Sequence, residues 1–256
     1  MQSFNFHTHT LRCRHAKGSE REFIETAIAA GLDTLGFSDH APQIFPGDYY
    51  SDYRMFPEET EGYVNTLCAL REEYRDRINI LIGYEAEYYP DLFEDLLKHI
   101  RQYPCDYLIL GQHFLDNETT RRYSGRKTED PQYLTDYVDQ VCAGIRTGVF
   151  TYAAHPDLQD FTGDRAVYRR EYSRLIRCAM ENDVPLEINM LGIAGGRHYP
   201  CEDFWALAGE MGASAVIGCD AHEPYALTME DAYGRAMEIA QKYSLRLVRP
   251  TLRSPF

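Results

Sequence analysis

The sequence has no long hydrophobic run. No apolar stretch in its 256 residues approaches the 18 or so that a membrane-spanning helix requires. The chain begins Met-Gln-Ser-Phe-Asn, without the basic region and apolar segment of a secretory signal. Its seven cysteines are scattered and include no Cys-x-x-Cys pair, which is typical of reduced thiols. These absences predict a cytoplasmic protein that binds no membrane.

Basic side chains are also scarce relative to acidic ones. The chain has 26 Lys and Arg against 40 Asp and Glu, a formal charge of −14. Because nucleic acids are bound largely through Lys and Arg, we expect no nucleic-acid partner. There is also no low-complexity tract, linker or repeat, so a single domain over residues 1–256 is the simplest organisation.

Short apolar, β-leaning runs alternate with segments of helical spacing. Strands are predicted at 3–7, 34–38, 78–84, 106–111, 150–154, 185–189 and 214–219. The first helix is marked by a capping box of Ser19 and Glu22 and a stop at Gly31. Further helices are predicted near 58–75, 90–101, 131–147, 165–182, 201–211 and 228–242. Seven alternations favour a closed or nearly closed α/β barrel over an open sheet.

A polar, mostly metal-capable residue stands at the end of every predicted strand. Such strand ends form the rim where α/β barrels build their active sites. Residues at i and i+2 of an extended chain point to one side, so each such pair can face one centre. Nine candidates are too many for one tetrahedral ion and suit two or three. They are His7, His9, His15, His40, Glu85, His113, His155, Asp220 and His222.

A single histidine at a strand end is usually structural, so each candidate taken alone is weak evidence. Seven of the nine histidines occupy this position, however, and random placement would scatter them through the helices as well. His99, in a predicted helix, and His198, in a loop, are interpreted as non-ligands. A structural zinc site is disfavoured because such sites use local clusters of cysteine and histidine. The pattern therefore favours a catalytic site with several metal ions.

The ordered motifs of residues 4 to 223 resemble the PHP (polymerase and histidinol phosphatase) superfamily. They are His7-Thr8-His9, His15, Ser38-Asp39-His40, Gly83-Tyr84-Glu85, His113, His155 and Asp220-Ala221-His222. The stretches HTHTLRCRHAKGS and GFSDHAP resemble its histidinol-phosphatase branch. The resemblance implies a distorted (β/α)7 barrel with its active site at the C-terminal ends of the strands.

The resemblance also implies three divalent transition-metal ions, which are zinc, iron or manganese in this family. One ion would take His7, His9, Glu85 and Asp220. A second would share Glu85 and add His113 and His155, and a third would take His15, His40 and His222. A set this rich in histidine suits any of those metals.

The implied reaction is hydrolysis of L-histidinol phosphate to L-histidinol and phosphate, in histidine biosynthesis. Glu85, Asp220 and Asp39 are the candidate catalytic residues. Asp220 and Asp39 are both possible acids for the leaving alcohol, and Asp39 could instead orient a ligand histidine. Arg197 and Asn189 are the candidate substrate-binding residues. Arg197 could equally be a surface arginine, and Asn189 could bond only its own loop.

Other functions fit the same residues. A phosphoesterase of this superfamily acting on another small phosphate ester is the nearest alternative. A nuclease or proofreading module is disfavoured by the acidic composition. A metal-binding protein without turnover would have no need of a bridging glutamate. The expected partner is thus a small-molecule phosphate ester.

Overall fold

A computed structural model describes residues 2–256 and contains one parallel sheet of eight strands, paired in sequence order from β1 to β8. The strands are β1 (Phe4–Asn5), β2 (Thr34–His40), β3 (Asn79–Ala86), β4 (Tyr107–Leu110), β5 (Phe150–Ala153), β6 (Leu186–Asn189), β7 (Ser214–Gly218) and β8 (Arg246–Leu247). The sheet curls into a partial barrel with helices outside. The distorted α/β barrel implied by the sequence is thereby confirmed.

Helices connect the strands as the alternating pattern predicts. They are α1 (Glu20–Ala29), α2 (Thr60–Tyr74), α3 (Phe93–Ile100), α4 (Pro131–Arg146), α5 (Arg165–Glu181), α6 (Met190–Ala194), α7 (Glu202–Met211) and α8 (Glu230–Lys242). The capping box at α1 is present, with the Ser19 amide donating to Glu22 Oε2 at 2.6 Å. Within residues 2–256, no helix combines the length and apolar character needed to cross a membrane.

Two short elements were not predicted. Strand β8 has only two residues, both exposed, so no apolar alternation marks it. Helix α6 has five residues and begins directly after β6, where the Asn189 side chain accepts a hydrogen bond from the Gly192 amide at 2.9 Å. Both are too short to give a periodic signal.

The barrel is closed at its C-terminal end by a backbone bridge between the first and seventh strand ends. Thr8 pairs in parallel with Ala221. The His9 amide donates to the Ala221 carbonyl at 2.9 Å, and the Ala221 amide donates to the His7 carbonyl at 3.0 Å. This bridge places the motif after β1 beside the motif after β7.

Apolar side chains pack on both faces of the sheet. The larger cluster lies between the sheet and the helices and includes Trp205, which is fully buried. A smaller cluster fills the barrel interior; it comprises Phe4, Phe6, Tyr107, Ile109, Tyr152, Ala154 and Val216. Within it, the Tyr107 hydroxyl donates to the Phe6 carbonyl at 2.8 Å. The barrel floor is therefore solid, and the open end is the rim.

Substitution Tyr107→Phe should lower the free energy of unfolding by about 1–2 kcal/mol, because a buried hydrogen bond is removed without a change of shape. Urea denaturation of metal-depleted protein measures this change. Tyr225→Phe is the matched control, since Tyr225 is 56% exposed. Equal stability of the two variants would contradict the role given to Tyr107.

Candidate metal centre

The nine candidate ligands lie together at the rim. They surround a pocket of about 560 Å³ that is open to solvent. His7 and His9 are fully buried and lie against Glu85 and Asp220, which line the pocket. The other seven line its walls: His15, His40, Glu85, His113, His155, Asp220 and His222. Residues from six different strand ends thus share one cavity.

Glu85 stands at the centre of the cluster, at the end of β3. Its Oε2 atom lies 3.6 Å from His7 Nε2 and 3.5 Å from His9 Nε2. Its Oε1 atom lies 2.8 Å from His155 Nε2 and 3.5 Å from His113 Nε2. The two oxygens of one carboxylate therefore face different histidines: Oε1 faces His155 and His113, and Oε2 faces His7 and His9 with His40 as a third neighbour at 3.0 Å.

Asp220 completes the group around His7 and His9. Its Oδ1 atom lies 3.5 Å from His7 Nε2 and 3.2 Å from His9 Nε2. Its Oδ2 atom accepts a hydrogen bond from Asn189 Nδ2 at 3.1 Å. The backbone bridge described above sets this arrangement, because it fixes Asp220 opposite the His-x-His pair.

His15 and His222 meet on the other side of the pocket, with their Nε2 atoms 3.0 Å apart. The ring of His40 lies 5.4 Å from that of His15 and 6.3 Å from that of His222. Its Nδ1 atom points instead toward Glu85 Oε2, at 3.0 Å. His40 therefore stands between this third group and Glu85.

Several of these histidine nitrogens form no hydrogen bond within residues 2–256, although carboxylate oxygens lie near them. His7 Nε2, His9 Nε2 and His40 Nδ1 are buried and accept or donate no hydrogen bond. Leaving a buried polar atom unpaired costs about 1–3 kcal/mol. A divalent ion would provide the missing partner, and imidazole with carboxylate is a donor set that zinc, iron and manganese accept. The residues present therefore fit divalent metal ions.

The carboxylates are held in their anionic form. Burial raises the pKa of the Glu85 carboxyl, but nearby His113 and His7 outweigh burial and keep that pKa well below its ordinary value. Burial likewise raises the pKa of Asp220, and the fields of His7 and His9 lower it well below normal. Two buried anionic carboxylates favour positive charge at the pocket floor.

Burial lowers the pKa of the histidines, whereas the nearby carboxylates raise it, and the balance differs from one histidine to the next. Burial lowers the pKa of His7, yet Glu187 and Asp220 raise it well above its ordinary value. For His40, burial prevails and its pKa lies well below normal. Burial and the field of His9 lower the pKa of His222 to about 3. The neutral imidazole of His222 is the form that binds a metal ion.

Backbone geometry at the rim is strained where the site requires it. His155 has φ 31° and Asp220 has φ 49°, both in the left-handed region that bulky residues avoid. Such strain collects at functional sites, where the surrounding structure enforces it. Glycine is required at position 111 for a steric reason, since a Cβ there would overlap Glu85 Oε1.

Glu187 on β6 is a site residue that the sequence analysis missed. Its Oε1 atom lies 2.8 Å from His7 Nδ1. Its Oε2 atom accepts from the His155 amide at 3.0 Å and from Asn189 Nδ2 at 2.9 Å. A signal existed: a glutamate inside an apolar strand, two residues before Asn189, must point to the same side as Asn189.

Asp39 lies behind His9, away from the pocket. Its Oδ1 atom is 3.5 Å from His9 Nδ1, and its Oδ2 atom accepts a hydrogen bond from the Thr10 amide at 3.2 Å. The side chain is fully buried. In this position Asp39 contacts a histidine of the site and not the cavity itself.

The two candidate substrate-binding residues differ in position. Arg197 lines the pocket and is exposed. Asn189 is fully buried, and its amide group bonds Glu187, Asp220 and the start of α6.

The two histidines interpreted as non-ligands, His99 and His198, lie outside the cluster of candidate ligands. His99 Nε2 is hydrogen-bonded to Thr60 Oγ1 at 2.8 Å. His198 Nε2 donates to the Leu158 carbonyl at 2.6 Å. Neither lines the pocket.

Known proteins resemble this chain in sequence and fold. A family model described as PHP domain matches residues 5–190. A probable histidinol-phosphatase of Deinococcus radiodurans is 30% identical over 226 residues, 85% of this chain and 85% of that protein. A second, of Schizosaccharomyces pombe, is 26% identical over 248 residues, 86% of this chain and 80% of that protein.

A solved structure has the same fold. The crystal structure of a histidinol phosphate phosphatase from Lactococcus lactis, in complex with zinc, L-histidinol and phosphate, superposes with a TM-score of 0.73. It is 19% identical, and the match covers 98% of this chain and 97% of that one. From the family model and the sequence relatives, the chain belongs to the PHP superfamily, in its histidinol-phosphatase branch.

Proposed function

We propose that the protein is a divalent-metal-dependent phosphomonoesterase that hydrolyses L-histidinol phosphate to L-histidinol and phosphate, a step of histidine biosynthesis. The observation that carries this proposal is Glu85, whose two oxygens face two histidine groups at the floor of one pocket. The relatives named as probable histidinol-phosphatases support the choice of substrate. We further propose that the whole chain of 256 residues forms one catalytic domain.

The site is proposed to hold three ions, of zinc, iron or manganese. The first would be held by His7, His9, Glu85 and Asp220, the second by Glu85, His113 and His155, and the third by His15, His40 and His222. Bound metal ions lower the pKa of water to about 7 and neutralise phosphoryl oxygens, which a phosphate ester needs before an anionic nucleophile can approach. Glu85 would keep the first two positions at a fixed separation.

Other side chains would bind the substrate and move protons. Arg197 is proposed to bind phosphoryl oxygens, because its planar fork matches them and it lines the pocket. Asp220 also lines the pocket, so its carboxylate can take a proton from the attacking water and return it to the leaving alcohol oxygen. Asp39 is proposed to orient His9, and Asn189 to orient Asp220, since each contacts that partner.

The outer wall of the pocket suits an alcohol that carries an imidazole ring and an ammonium group. The rings of Tyr53, Phe114 and Tyr123 form a row, with centroids 5.7 Å apart at each step. An aromatic ring exposed in a pocket wall can pack against an imidazole. Asp52 lines the same wall, is exposed, and offers its carboxylate to an ammonium. We propose that this wall selects histidinol phosphate.

The metal-loaded protein should hydrolyse L-histidinol phosphate with a kcat/KM at least tenfold higher than that for the same ester without the amino group, or for p-nitrophenyl phosphate. A tenfold preference corresponds to about 1.4 kcal/mol, within the range of one charged contact. Phosphate release measured across the three esters tests this.

Asp52→Asn is the matched control for that panel. It should reduce kcat/KM for L-histidinol phosphate and leave the value for the ester without an amino group unchanged. Similar rates on all three esters would overturn the substrate and leave a general phosphoesterase. No hydrolysis of any ester by metal-loaded protein would overturn the reaction itself.

Glu187→Gln should weaken metal binding about 10- to 100-fold, because the carboxylate that fixes His7 is replaced by an amide. Competition for Zn²⁺ with a chromophoric chelator measures the effect. Glu171→Gln is the control, since Glu171 is also buried but bonds Arg170 and Arg174 on α5. Unchanged affinity in Glu187→Gln would contradict the role of Glu187.

A further inference from the structure

One buried arginine outside the candidate ligand set joins three of the loops around the pocket. Arg54 lies in the segment between β2 and α2, and its side chain is 1% exposed. It bonds Glu87, directly after β3, and Glu118, in the segment after β4. A charge this deeply buried must be paired, so the contacts of Arg54 fix how these loops stand relative to one another.

All five N–H groups of the Arg54 guanidinium have an acceptor. Nε donates to Glu118 Oε2 at 2.8 Å. Nη1 donates to Glu87 Oε2 at 2.8 Å and to the Ala41 carbonyl at 3.2 Å. Nη2 donates to Glu87 Oε1 at 3.0 Å and to the Tyr53 hydroxyl. Lysine has three donors on one atom and cannot reproduce this set.

Two tyrosines complete the cluster. The Tyr53 hydroxyl donates to Glu87 Oε1 at 3.0 Å, and the Tyr49 hydroxyl donates to Glu118 Oε1 at 2.9 Å. The ring of Tyr53 packs edge-on against His40, with centroids 5.3 Å apart. The cluster therefore ends at the wall of the pocket.

Glu87 connects the cluster to the metal centre. Its Oε1 atom lies 3.3 Å from His113 Nδ1. The other ring nitrogen of His113 faces Glu85 Oε1 at 3.5 Å. A carboxylate that accepts from one nitrogen of an imidazole sets the direction of the other, as is common for histidines that bind metals. His113 lies three residues beyond the end of β4, and the Ser124 amide donates to its backbone carbonyl at 2.7 Å. That contact does not orient its ring, whereas the Glu87 carboxylate faces the ring nitrogen Nδ1 directly.

We propose that Arg54 is a positioning residue for the metal centre: it holds Glu87, which directs His113 toward the ion shared with Glu85. This inference rests on the proposed function, since it assumes that His113 binds a metal. Arg54 does not touch the substrate or the reacting atoms in this proposal. Its effect on His113 passes through Glu87.

A double-mutant cycle tests the proposal. The wild-type protein, Arg54→Lys, His113→Ala and the double variant are each titrated with Zn²⁺ against a chromophoric chelator. Arg54→Lys should weaken Zn²⁺ binding at least tenfold in the wild-type background. In the His113→Ala background it should have no further effect, because the two residues act on one bond. Equal losses in both backgrounds, or no loss in either, would overturn the proposal.

Two further variants separate positioning from folding. Glu118→Gln keeps the side-chain shape but removes one charged partner of Arg54, and should show the same dependence on His113 if Arg54→Lys does not fold. Arg71→Lys makes the same exchange at a partly buried ion pair with Asp106, below the sheet rim, and should leave Zn²⁺ affinity unchanged. A loss in Arg71→Lys as large as that in Arg54→Lys would also contradict the proposal.

Because the readout is metal affinity, the cycle is independent of the substrate. If the protein does not hydrolyse L-histidinol phosphate but the cycle shows the expected coupling, the positioning role stands and the substrate assignment fails. If the ester is hydrolysed and the coupling is absent, Arg54 has only a structural role.

Discussion

The backbone bridge between Thr8 and Ala221 is the constraint on which the site depends. It joins the end of the first strand to the end of the seventh and closes the backbone pairing of the barrel at the rim. Below it, β1 and β8 are the two unpaired edges of the sheet. The His-x-His and Asp-x-His motifs, more than 200 residues apart in the chain, become neighbours through two hydrogen bonds.

The site then concentrates charge that an ordinary core would exclude. Glu85, Glu187 and Asp220 are all buried among histidines at one end of the barrel. Burying such groups is costly unless they are paired, and several imidazole nitrogens form no hydrogen bond within residues 2–256. The left-handed backbone at His155 and Asp220 adds strain. The apolar packing of the barrel interior and of the helix layer must offset the free-energy cost of the buried polar groups and of the backbone strain. Bound metal ions would reduce the cost of the buried polar groups.

The sequence was sufficient for the α/β architecture because seven of the eight strands and most helices carry their own periodic or capping signal. It was also sufficient to bring the nine candidates together, because parallel strands end on one side. It did not reveal β8 or α6, which are too short for periodicity. It also did not reveal Glu187 or Arg54, because their roles come from contacts across strands and loops. Glu187 reaches His7, 180 residues away, and only the sheet order makes them adjacent.

We propose that Glu85 lies between two metal ions, with a third ion nearby. Anomalous diffraction at the zinc edge, from crystals of Zn²⁺-loaded protein, tests it most directly. We expect two anomalous peaks on either side of the Glu85 carboxylate and a third beside His15 and His222. A single peak, or peaks with Glu85 turned away from them, would contradict it.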